Sequence, residues 1–144
     1  MRKRSAYKPR PACPPMLVSR GLVNEELEIR ERMIVEAFSG GWAGESHYDE
    51  ITDMRNVLTI AADHQHDQST LAMCHAVRIP MANIRQRYAE TKRMGITGDE
   101  LRLLREFLDC YRDFWMRQST SMYLMACDAL NRAHKMKLIG QIKQ

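Results

Sequence analysis

The chain has 144 residues with 22 Lys+Arg against 18 Asp+Glu, enough for one domain that buries roughly two-thirds of the surface its unfolded form exposes. No run approaches the roughly 18 apolar residues of a membrane span, and the four scattered cysteines (Cys13, Cys74, Cys110, Cys127) lack the C-x-x-C pair of a zinc ribbon or thioredoxin-type site. The charge is uneven: residues 1–22 hold six basic and no acidic side chains, residues 23–130 hold 12 basic and 18 acidic, and no acid follows Asp128.

Pro9, Pro11, Pro14 and Pro15 follow the basic start, where a secretory signal would place an apolar stretch. Fixed φ and missing N–H groups make that segment extended, so residues 1–22 read as an arm, residues 23–132 as a folded body and residues 133–144 as a basic tail. With no export route and isolated cysteines, a cytoplasmic protein with reduced thiols is expected, with Cys74, Cys110 and Cys127 in its core.

Asn24 is a suitable N-cap for a first helix through Ser39, stopped by Gly40-Gly41, with Leu27, Met33, Ile34, Ala37 and Phe38 as its apolar stripe and Ile29 on the flank. A second helix, capped near Ser46 with Asp49 three residues on, repeats Tyr48, Ile51, Met54, Leu58 and Ala61 at helical steps. From Ser69 to Arg93 the row is Met73, Val77, Met81, Ile84 and Tyr88, and Pro80 must kink or restart that helix.

Thr97-Gly98-Asp99-Glu100 is a capping box opening a helix with Leu101, Leu104, Leu108, Tyr111 and Trp115. Gln118-Ser119-Thr120-Ser121 marks a break or a fresh cap before Met122, Met125, Ala126, Ala129 and Leu130, and fraying is expected from Ala133. No segment alternates as a strand does, so the fold class is all-α, a bundle of four or five helices with an extended basic arm.

The arm Arg2-Lys3-Arg4-Ser5-Ala6-Tyr7-Lys8-Pro9-Arg10, the glycine-ended first helix, the cap beginning at Thr97 and the Tyr111-Arg112-Asp113 triplet together define a pattern. It resembles a family of small proteins of temperate bacteriophages and prophages of Gram-negative bacteria, which begin with a K/R-K/R-x-S-x-Y-x-P-K/R arm and continue as a helical body. Pro80, the histidine-rich turn and the basic C-terminus depart from it. The resemblance implies a virus-encoded accessory protein working in a bacterial cell, and implies no reaction.

Two surfaces are candidate contact sites. Arg2, Lys3, Arg4, Lys8 and Arg10, interleaved with Tyr7, suit phosphates and a stacked base, so DNA or RNA is one partner for the arm and an acidic protein surface another. Phe114, Trp115, Met116 and Tyr123 cannot all face one core from neighbouring helical positions, so some must meet a further helix, a second copy of the chain in a homodimer, or a host or viral protein.

Asp63-His64-Gln65-His66-Asp67, with His47 and Cys74-His75, offers metal donors, yet His64 and His66 leave a helix on different sides. Cys110 and the hydroxyls of Ser119, Thr120 and Ser121 lack a nucleophile elbow or phosphate loop, and Asp109 and Asp113 read as an ion-paired surface. No catalytic residue, metal or cofactor is assigned; the expected function is non-enzymatic binding, with nucleic-acid binding and a virion component as alternatives.

Overall fold

Glycine and proline positions divide the chain into its helices. The computed structural model describes the backbone of residues 20–142 and the side chains of residues 25–137. It comprises α1 (Arg20–Ser39), α2 (Glu45–His64), α3 (Gln68–Ala76), α4 (Arg78–Thr91), α5 (Gly98–Met116) and α6 (Thr120–Ile142). Only Val77 separates α3 from α4, so they form one interrupted helix and the bundle has five helical units. Among the described residues there is no strand, and no helix is long and apolar enough to cross a membrane.

Local chemistry explains the breaks. Gly41 turns the chain after α1 at φ +78, and a Cβ on Gly40 would sit 2.7 Å from the Trp42 ring, so both glycines are needed there. Pro80 falls in the first turn of α4, where its missing N–H lacks no intrahelical acceptor, so it restarts the helix. Lys92, left-handed at φ 61, ends α4.

Three expected boundaries differ. Helical backbone continues upstream of Asn24 to Arg20, which makes Asn24 an interior residue instead of the cap. The cap of α2 is extended Gly44, whose N–H donates to His47 Nδ1 at 3.0 Å, in place of Ser46 and Asp49. At the other end α6 runs on to Ile142, past the point where fraying was expected.

α2 packs against α3 and α6, while α5 packs against α1 and α3, so α3 joins the two halves. One apolar cluster fills the space between them, including Ile34 and Phe38 of α1, Ile51 and Leu58 of α2, Ile84 of α4, Leu104, Phe107 and Phe114 of α5, and Leu130 of α6. Met33, expected in this core, is exposed because Leu27, Ile34, Ala37 and Phe38 already complete the buried face of α1.

Two polar arrangements fasten the helices. Thr97 Oγ1 accepts from Glu100 N–H at 3.2 Å and Glu100 accepts from Thr97 N–H at 2.9 Å, the reciprocal box read from the sequence. Arg87 of α4 reaches the same Glu100 carboxylate and the Gly95 carbonyl, which locks the α4–α5 turn. Burial opposes the charge on Glu100, but the Arg87 guanidinium and the Thr97 N–H outweigh it and hold the carboxyl below its ordinary range. Thr97→Ala should therefore cost about 1 kcal/mol of unfolding free energy in urea titrations.

Across α1 and α5, Arg112 donates to Glu31 at 3.0 Å and to Asp109 at 3.5 Å. Burial, then the hydrogen bond and negative charge of Asp109, raise Glu31 to about 7 against the pull of Arg112. The folded protein thus keeps a proton on Glu31 that the unfolded chain releases near 4.5. The stabilisation is complete below that value and is lost as pH rises through about 7. Denaturant titrations from acid to neutral pH should show this decline in the native sequence and a flatter profile in Glu31→Gln, whose amide keeps a donor for Asp109.

Candidate functional site: an arginine-rimmed groove

Most helical arginines are neutralised locally. Arg30 meets Glu26, Arg102 meets Asp99 and Arg112 meets Asp109, each one turn away. Over residues 25–137 only Arg55, Arg78 and Arg85 lack an acidic residue three or four positions away. The fold brings these three to one place.

They rim a groove between α2 and α4. From α2 come Tyr48, Ile51, Thr52 and Arg55, and from α4 come Arg78, Met81, Ala82, Arg85 and Ala89, sets spaced so that each occupies one helical face. Ile51 and Met81 make an apolar floor, and the small Ala82 and Ala89 keep the α4 wall low. Two tyrosines span the gap: Tyr48 Oη donates to the Met81 carbonyl at 3.2 Å and Tyr88 Oη to Glu45 at 2.9 Å.

No acidic side chain lines the groove, and none of its arginines has an ion-pair partner among the described residues. Arg55 donates to Asn56 Oδ1 at 2.7 Å. Its partial burial and the neighbouring Arg78 charge push its pKa below the ordinary arginine range, so an anion here would relieve an existing repulsion. The adjoining hollow at the start of α2 shares Tyr48, Thr52 and Arg85 with the groove and carries Glu45 and Asp49, so Arg85 stands between the two.

The residues singled out in the sequence lie elsewhere. Arg2, Lys3, Arg4, Tyr7, Lys8 and Arg10 fall outside the described residues. Phe114, Trp115 and Tyr123 are buried and Met116 is half-buried, which corrects the expectation of an exposed anchor there. Trp115 stands edge-on to both Phe114 and Tyr123 with ring centroids 5.0 Å apart. These rings close the α5–α6 turn from inside, the neighbouring-helix solution to their crowding.

The donor-rich turn is dispersed. His64 and His66 are exposed, Asp67 caps α3 by accepting from Thr70 N–H at 3.1 Å, and His47 caps α2. Among the described residues no three His, Cys, Asp or Glu side chains gather in a metal-sized cluster. Burial pushes the Cys110 thiol up, against the pull of the Thr70 hydroxyl and Arg117.

No protein-family model matches the chain, and no curated protein or solved structure matches it.

The groove was missed because its wall residues are 23 or more positions apart across the α2–α4 gap, from Arg55 to Arg78. The absence of a carboxylate one turn from these arginines was the available signal. Because Trp115 is core, Trp115→Ala should lower unfolding free energy by about 3–5 kcal/mol, read by urea denaturation, a loss that an exposed anchor would not show.

Proposed function

We propose that this protein acts by binding, without catalysis, and that the α2–α4 groove engages an acidic segment of a partner protein. The observation carrying this reading is the trio Arg55, Arg78 and Arg85, left without carboxylates in a body otherwise rich in them. The exposed methyl groups of Ala82 and Ala89 favour a protein partner, because they reward an apolar side chain and have nothing to offer a phosphate backbone. Charged rims of this kind govern partner choice and encounter rate more than affinity.

The resemblance of the arm supports placing the protein among bacteriophage or prophage accessory proteins, acting in the cytoplasm of a bacterial host on a host or viral process. The arm then adds contacts of its own. A second reading, nucleic-acid binding, draws on the same arm, whose five cations and Tyr7 precede any acid.

Affinity capture from bacterial lysate with and without nuclease separates the two. The expected result is a stoichiometric protein that survives nuclease, is retained by a chain lacking residues 2–10 at reduced yield, and is lost with Arg78→Glu/Arg85→Glu. Recovery of nucleic acid that depends on residues 2–10, with a log–log salt slope of roughly −4 to −5, would overturn the protein reading in favour of the second.

A further inference from the structure

We propose that the groove also accepts a second copy of this chain, through the outer face of α1, so that molecules associate head to tail. The inference rests on reading the groove as a docking surface for an acidic helical segment, and it names one such segment. The outer face of α1 presents Glu25, Ile29, Met33 and Glu36, all exposed and all on one stripe at steps of four, four and three residues.

Ile29 and Met33 are 58% and 55% exposed. Of the large exposed apolar residues described, they alone stand one turn apart on one helix; Trp42, Ile79, Leu124 and Met136 are dispersed. Flanking acids complete an apolar-and-acidic surface complementary to an apolar floor rimmed by arginines.

The dimensions agree. Glu25 to Glu36 spans eleven residues, as does Arg78 to Ala89, so stripe and wall each run for about 16 Å at the rise of an α-helix. Opposed charges at the rim would set the register while Ile29 and Met33 cover the exposed Ala82 and Ala89. Arg32 borders the stripe and weakens the match, which the neighbouring Glu28 offsets. A three-turn contact lies at the small end of specific interfaces, so the association is expected to be weak and concentration-dependent.

The surfaces differ, so the contact is heterologous and each bound molecule still offers one free groove and one free stripe. Self-association and capture of another acidic partner then compete for the same arginines.

Sedimentation velocity of the full chain from low to high micromolar tests this. The native protein should gain mass with concentration and lose that gain in high salt. Arg78→Glu/Arg85→Glu and Glu25→Lys/Glu36→Lys, which change only exposed side chains, should each remain monomeric with unchanged helical circular dichroism. Mixed in equal amounts they should regain concentration-dependent association, because the native groove meets the native stripe and the two reversed surfaces again carry opposite charge. A native chain that stays monomeric throughout, or a mixture that does, overturns the inference. So does a Glu25→Lys/Glu36→Lys variant that associates like the native chain. Partner capture lost only with the groove variant would in those cases leave the proposed function standing, whereas capture insensitive to the groove variant would remove both.

Discussion

The contact between Arg87 and Glu100 is the constraint on which the surface of this bundle depends. Arg87 lies on the opposite side of α4 from Arg78 and Arg85, because nine residues carry a helix through two and a half turns. By gripping Glu100 and the Gly95 carbonyl, it ties one side of α4 to the start of α5. The other side is thereby turned outward. α4 then stands off from α2, with Tyr48 and Tyr88 bridging the gap, and the groove is the space that remains. One ion pair, reinforced by a helix cap, thus helps to set where Arg78 and Arg85 of α4 are displayed beside Arg55 of α2.

The arginines divide by their neighbours. A helical arginine with a carboxylate one turn away is half-neutralised before any tertiary structure forms, and contributes little beyond solubility. Arg55, Arg78 and Arg85 have no such neighbour, and folding brings them to one groove without an ion pair among the described residues, although Glu45 and Asp49 line the hollow beside Arg85. Three like charges around an apolar floor are unfavourable for an isolated bundle, since each raises the electrostatic work of keeping the others there. An anion bound among them would lower that work.

Helices, caps and stops were legible because they are local. Thr97 and Glu100 are three residues apart, Pro80 acts on its own turn, and Gly41 needs only its own φ. The buried face of α2 was legible for the same reason, through the period of Ile51, Met54, Leu58 and Ala61. Phe114, Trp115 and Tyr123 were misplaced because a helical wheel shows which directions a helix uses, not how many of them are covered. α5 is covered on more than one side, by α1 and α3 and by the turn into α6, so adjacent aromatic residues can both be buried. Met33 erred in the opposite sense, since α1 meets the bundle with a narrower face than its apolar content permits. The groove needed a juxtaposition of two helices that no spacing rule contains.

α1 is unusual in what it turns inward. Ile29 and Glu31 are about 200° apart around the helix, nearly opposed, so fixing one inside leaves the other outside. The structure places Glu31 against Arg112 and Asp109 on α5 and leaves Ile29 and Met33 in water. Burial raises Glu31 to about 7, so the inward carboxyl is itself held at a cost. A surface helix optimised for a monomer would do the reverse, with the aliphatic side chains inside and the carboxylate in solvent. Covering the outer face would take Ile29 and Met33 out of water without altering the Glu31 contact on the inner one. That the acidic flanks of this face suit a groove lined by no acid is the physical basis for relating the two surfaces.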